Sequence, residues 1–244
     1  MKKINTILAT VGALLMLTVT SANSIEFKAG VSANGMAAYA NAKETLKDSG
    51  AESNAEAILA TSFASVFAEI SSDEMMGLGI GVSYAPEVAD LNKETREINT
   101  CTDGTGRRTN VACVDKTGTT ADSGTTTVDA KINDMVSIYL TLPVGDSGAY
   151  VKAGYIQATL VTEESLATGS KYEDVDMTGT QLAGGYEGSL GDMAFWRAEG
   201  SYQMWEDISA SGSEANLGTT DTSKNKIEAE IGSVTGSLSV GMKF

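Results

Sequence analysis

The last eleven residues alternate without a break. Val234, Leu238, Val240, Met242 and Phe244 fall on one face, with Gly236 among them, and Thr235, Ser237, Ser239, Gly241 and Lys243 fall on the other. Apolar residues alternating with small or polar ones at period two mark a strand with one greasy side. This strand runs to the final residue of the chain, which is unusual for a water-soluble domain, whose termini tend to fray.

The opposite end is built differently. Met1-Lys2-Lys3 gives a positive start, Ile7 to Val19 is mostly apolar, and Thr20 to Ser24 is small and polar. That is the three-part pattern of a secretory signal peptide handled by the Sec pathway. It sets residues 1–24 apart from a domain over 25–244, with cleavage after Ala22 or after Ser24. A retained anchor helix is the competing reading, but the apolar run is shorter than the roughly 20 residues a spanning helix needs. Later segments contain no long apolar run either.

Glycine is frequent at 26 residues and proline scarce at 2, which suits many strands of small residues. The net charge is -15 over the whole chain, and loss of Lys2 and Lys3 makes the remainder more acidic still. A surface of that sign does not bind nucleic acid, whose phosphates call for a basic patch. Solvated acidic loops are the plain explanation of the charge. The two cysteines, Cys101 and Cys113, read as a disulfide in an exported chain, closing a short loop and stabilising it by about 3 kcal/mol. The chain has no histidine. That argues against a metal site, and no sequence feature calls for a cofactor.

Eight alternating segments can be traced: Glu26–Tyr39, Ala60–Ile70, Met76–Ala85, Lys131–Leu142, Ala149–Val161, Val175–Leu190, Met193–Glu206 and Lys226–Phe244. In the second the facing is ambiguous, because Phe63 and Phe67 oppose Ala64, Val66, Ala68 and Ile70. The connections alternate between short (71–74, 144–148, 191–192) and long (40–59, 86–130, 162–174, 207–225). Short turns on one side and long loops on the other are the plan of a transmembrane barrel. The sequence therefore predicts an all-β, eight-stranded, antiparallel up-and-down transmembrane β-barrel, with both termini on the periplasmic side and the cysteines outside the cell. The longest loop is expected to hold a hairpin, Glu97–Cys101 with Asn110–Val114, extending strands three and four above the membrane. Counting that hairpin as a membrane pair would give ten strands. Phe27, Tyr39, Tyr84, Tyr186, Trp196, Tyr202 and Phe244 fall on the outer face, as interfacial aromatics should.

Taken together, the signal peptide, the strand–turn rhythm and the ending Gly236-Ser237-Leu238-Ser239-Val240-Gly241-Met242-Lys243-Phe244 resemble the small bacterial outer-membrane barrels of the OmpA transmembrane-domain and OmpX type. The resemblance implies location in the outer membrane of a Gram-negative bacterium. It also implies insertion by the outer-membrane barrel assembly machinery, with Leu238, Val240, Met242 and Phe244 as the assembly signal. No peptidoglycan-binding domain is expected after Phe244, and so no cell-wall tether. Outer-membrane lipid and lipopolysaccharide are the expected surroundings.

The inner face offers Lys28, Glu69, Lys152, Glu187, Arg197 and Glu199. Eight strands enclose a lumen only wide enough for side chains, and unpaired buried charge is costly. These six are therefore expected to pair and plug the barrel, with Lys152–Glu187, and Arg197 with Glu187 or Glu199, as candidate pairs. Barrel enzymes usually rely on histidine as base, so no catalytic site is expected. The loop acids could take up divalent cations adventitiously. Three functions remain at this point: a structural outer-membrane protein whose loops meet a surface partner, a small gated pore, and a soluble secreted barrel with an apolar cavity. The inner faces read polar and the outer faces apolar, which opposes the third.

Overall fold

The computed structural model describes residues 25–46, 51–90, 94–102, 108–109, 120–165, 172–212 and 226–244. The signal-peptide reading of residues 1–24 lies outside them, as do Cys113 and the second arm of the expected loop hairpin. Among the described residues there are eleven strands: β1 (Ile25–Leu46), β2 (Ala51–Ser72), β3 (Leu78–Asp90), β4 (Glu94–Thr102), β5 (Arg108–Thr109), β6 (Thr120–Pro143), β7 (Ala149–Ser165), β8 (Val175–Ser189), β9 (Ala194–Trp205), β10 (Ile208–Ser211) and β11 (Lys226–Lys243). Eight of them form a closed antiparallel ring in the order β1-β2-β3-β6-β7-β8-β9-β11, with β11 returning to β1. β4 continues the line of β3 along β6, and β10 continues that of β9 along β11. The ten-strand count therefore fails: the loop strands lengthen the wall without widening the ring. β5 pairs with β4 through Cys101–Thr109 and Thr102–Arg108, so Arg108 belongs to a strand and not to the expected turn.

The register fixes the shape. One circuit of paired residues from Glu26 passes through Ser71, Gly79, Thr141, Lys152, Ala183, Ser201 and Thr235 and returns to β1 at Met36, ten residues further on. A shear of ten on eight strands tilts them by about 40°. Phe27 and Tyr39, both outward, lie twelve residues apart on β1, so at ~3.3 Å per residue and that tilt they are about 30 Å apart in height. The apolar band of such barrels is about 25 Å tall.

Several strands outrun the sequence reading. The expected first loop, 40–59, is mostly hairpin: β1 and β2 stay paired up to Leu46–Ala51, with Lys43 and Glu52 bridged at 2.7 Å. β6 begins at Thr120 rather than Lys131. The third strand starts later than expected, at Leu78, because Met76 and Gly77 adopt left-handed backbone (φ 59° and 74°) to close the β2–β3 turn.

The reason for the underestimate is visible on β11. Near the short turns its outward residues are Val234, Leu238, Val240 and Met242 and its inward ones Ser233, Thr235, Ser237 and Ser239. Beyond Gly232 the exposed residues are Glu230 and Glu228, and Ile231, Ala229 and Ile227 turn inward. The facing never changes, but the chemistry on the two faces exchanges. β2 does the same, with Ala64, Val66 and Ala68 outward below, and Glu52, Asn54 and Glu56 exposed above while Leu59 packs inward. Where lipid surrounds the wall the outside is apolar, and where water surrounds it the inside is. The upper lumen consequently holds an apolar core of Met36, Ala38, Ala85, Val88, Ala89, Ile132, Met135, Ala158, Met177 and Ile208. The expectation of a polar interior is correct for the lower part only.

Candidate functional site in the barrel lumen

The six expected lumen charges all lie near the short-turn end and face inward. Register places Lys28 opposite Glu69 across β1 and β2, and Glu187 opposite Arg197 across β8 and β9. Arg197 is the hub. Its Nη1 and Nη2 donate to Glu69 Oε2 and Oε1 at 3.0 and 2.8 Å, spanning the lumen, and its Nε donates to Glu187 Oε2 at 2.7 Å. Lys28 Nζ donates to both oxygens of Glu187 (2.8 and 3.2 Å) and stands 3.1 Å from Glu26 at the rim. Lys152 pairs with Glu199, which also accepts from the Tyr150 hydroxyl at 2.9 Å. The expected pair Lys152–Glu187 does not form: Glu187 is taken by its cross-strand neighbour Arg197 and by Lys28. Arg197 likewise pairs with Glu187 and Glu69 rather than Glu199.

Glu69 is 2% exposed and Arg197 7%. Two charges so deep in a barrel are tolerable only when hydrogen-bonded, and the planar guanidinium fork matches the carboxylate bidentately. Aromatic rings complete the shell. The guanidinium carbon lies 5.4, 5.3 and 5.1 Å from the ring centres of Phe67, Tyr150 and Phe195, and Lys152 Nζ lies 4.7 Å from that of Tyr139. Such contacts between cations and ring faces add roughly 0.5–2 kcal/mol each.

Sequence reasoning did not assign Phe67, Phe195 and Tyr150 to this site. A signal for them exists, but it needs the register. Each inward ring lies over a glycine of the neighbouring strand: Phe67 on Gly30, Tyr139 on Gly81, Tyr150 on Gly185 and Phe195 on Gly241. A methyl group at Gly81 would overlap the Tyr139 ring, so glycine there is what makes room for the aromatic.

Above the charges lies a polar layer. Asn34 donates to the Phe63 carbonyl (3.2 Å) and Ser65 (3.0 Å) and accepts from Ser237 at 2.6 Å. Gln203 Oε1 accepts from Ser233 (2.6 Å) and Thr235 (3.5 Å), and Gln181 Oε1 from Ser137 at 3.4 Å. A cavity of about 60 Å³ lies within this layer, between the ion pairs and the apolar core.

The terminal strand is held along its length. Phe244 N donates to Phe27 O at 2.9 Å, Phe27 N to Phe244 O at 3.2 Å, and the two rings lie 6.1 Å apart. Leu238, Val240, Met242 and Phe244 all point outward and are 45–69% exposed. Tyr186 and Trp196 add a second aromatic pair near the same end, at 5.7 Å. Tyr39, Tyr155 and Tyr202 stand exposed further up, Tyr202 three residues from the end of the short β9. Between these aromatics an apolar groove of about 920 Å³ crosses the outer wall over Gly35, Gly236, Gly200 and Gly184, which are paired in one row. Cys101 lies on β4, far from the lumen charges in the sequence of strands, and its expected partner is outside the described residues.

A closed ring whose lower wall is apolar outside and charged and hydrogen-bonded inside is there the inverse of a soluble barrel, and that places this chain in a membrane. Single-chain barrels of this plan belong to the bacterial outer membrane. No family model matches the chain, and no curated protein matches it. Among solved structures it is similar to the outer membrane protein OprG from Pseudomonas aeruginosa (12% identity, TM-score 0.47, 91% of this chain and 96% of that one). It is similar also to the outer membrane protease OmpT from Escherichia coli (11%, 0.46, 92% and 100%). A third is Ail, the attachment invasion locus protein of Yersinia pestis, in complex with the heparin analogue sucrose octasulfate (11%, 0.38, 88% and 99%). Likenesses this distant carry no argument about activity.

Proposed function

We propose that the chain is a structural, non-catalytic outer-membrane barrel whose wall rises above the bilayer to present its loops to a surface partner. One observation carries this reading: the lumen is filled at both ends, by the Arg197-centred ion pairs below and by the apolar core above. A barrel so filled is rigid, and rigidity suits a stalk for loops. The polar water-facing exterior beyond the belt supports the same view. Lipopolysaccharide and the barrel assembly machinery are the partners this reading calls for, the latter through Leu238, Val240, Met242 and Phe244. The competing reading is a small gated pore, favoured by the polar layer and its cavity. Single-channel recording on the refolded mature barrel in a planar bilayer separates them. Silence is expected for wild type; discrete openings that grow in Arg197→Ala or Glu187→Ala would establish the pore instead.

A further inference from the structure

We propose that the upper edge of β2 docks an extended segment of a surface partner, which adds to the wall as an antiparallel strand with basic residues on its outward face. This rests on the reading of the wall as a stalk for such a partner, and it states what the partner must carry.

The register shows the edge. β2 pairs with β1 along its whole length, from Ser72 up to Ala51. Its pairing with β3 ends at Val66–Tyr84. Two residues beyond Tyr84 comes Pro86, which has no N–H for a ladder. β3 then shifts register against β6 between Glu87 and Ala89. The Thr61 hydroxyl still reaches across the seam, donating to Val88 O at 3.0 Å. Above it, among the described residues, no strand pairs with this side of β2, and β5 meets β4 alone. Ser72 O accepts from Gly77 N on the β3 side, so by alternation the even-numbered residues of β2 turn their backbone groups that way. Glu52, Asn54, Glu56 and Ile58 therefore present a ladder to the seam.

An open edge of this kind is a template for another chain. The side chains beside it select which chain. Glu56 on β2 and Glu87 on β3 stand exposed on the two banks, and Glu52 is bridged to Lys43 on the far side of β2. Like charges directly opposite are destabilising, so a second copy of this edge is a poor match and a basic strand a good one. On the inner face Leu59 packs against the apolar core. The matching segment alternates basic residues outward with apolar residues inward.

Two measurements on the refolded mature barrel in nanodiscs of zwitterionic lipid test this. Amide hydrogen exchange reads the edge itself. The amides of Asn54, Glu56 and Ile58 should exchange about tenfold or more faster than those of Ala55, Ala57 and Leu59, which face β1. Equal protection would mean that the chain itself or a second copy already covers the edge, and would overturn the proposal. Fluorescence anisotropy reads docking, with a ten-residue peptide alternating Lys and Val as the probe. It should bind in the micromolar range, and Glu56→Gln should weaken it by about two- to fivefold. In an antiparallel ladder residues directly opposite share a face, so the lysine amides point at β2. N-methylation of the lysine amides should abolish binding, and N-methylation of the valine amides should spare it. No binding of the plain peptide, or equal binding of the two methylated ones, would overturn the proposal. Channel openings in the planar bilayer beside intact peptide docking would remove the non-conducting reading and leave this edge standing; a silent barrel that ignores the peptide would do the reverse.

Discussion

Removing Arg197 tests the lumen most severely. Arg197→Ala deletes three charge-assisted hydrogen bonds and leaves Glu69, 2% exposed, with no cation in hydrogen-bonding contact. Each bond alone would rank at about 1.5–3 kcal/mol, but they share one guanidinium and do not add. The better measure is the cost of stranding one member of a buried pair, about 3–5 kcal/mol. Glu187 keeps Lys28 as a partner, so the figure belongs to Glu69 and the total should stay near 4 kcal/mol. For a domain of this size each kcal/mol moves the midpoint by about 2–4 °C, giving a fall on the order of 10 °C. The double variant Arg197→Met with Glu69→Leu removes both charges at similar volume and should recover most of that loss, with a coupling energy of about 2–3 kcal/mol. Urea unfolding in lipid vesicles, followed by tryptophan fluorescence and the heat-dependent gel shift of folded barrels, measures Arg197→Ala and the four corners of the cycle: wild type, Arg197→Met, Glu69→Leu and the double variant. If Arg197→Ala costs less than about 1 kcal/mol, or the double variant is merely additive, the network is decorative and the reasoning fails.

Other predictions follow from height and facing. Leu238→Arg, on the outer face within the apolar belt, should cost about 2–4 kcal/mol, whereas Glu230→Arg, eight residues up the same face, should change stability by less than about 1 kcal/mol; equilibrium unfolding of the two variants compares them. Gly81→Ala drives a methyl group into the Tyr139 ring and should destabilise by about 1–3 kcal/mol, while Gly236→Ala meets only open space and should be neutral or stabilising by up to about 1 kcal/mol. Phe244→Ala loses the ring contact with Phe27 and is expected to slow insertion into lipid vesicles more than it lowers final stability, which the time course of the gel shift reports.

Much of the wall was legible in the sequence, for a simple reason. Period-two alternation assigns inside and outside one residue at a time, so Lys28, Lys152, Glu187, Arg197 and Glu199 could be placed inward without any knowledge of neighbours. Glu69 was harder, because on β2 the inward positions Phe63 and Phe67 are as apolar as the outward Val66 and Ile70. Of the pairings, Arg197–Glu187 stood among the sequence candidates and forms, but the bond from Arg197 to Glu69 was not legible. It depends on closure between β11 and β1 and on a shear of ten, which bring Arg197 within reach of Glu69 across the lumen. The upper halves of β1, β2 and β6 were missed because a rule of apolar-out stops applying where the surroundings turn from lipid to water. Tyr84 marks that change on β3: its hydroxyl donates to Asp134 at 2.6 Å, beside the bulge where β6 slips register against β7.

The exchange of chemistry at Gly232 also says where the protein floats. A barrel whose outward apolar run ends at one height on β11, while Tyr39 and Ile58 carry it further on β1 and β2, has a waterline that is not level. Set in a flat bilayer, such a molecule must either lean toward β1 and β2 or draw the outer leaflet up along that side. Either response breaks the circular symmetry of the surrounding lipid and gives neighbouring molecules a direction from which to approach. The orientation of the barrel among its neighbours would then be written in the alternation of a few strands, before any loop makes contact.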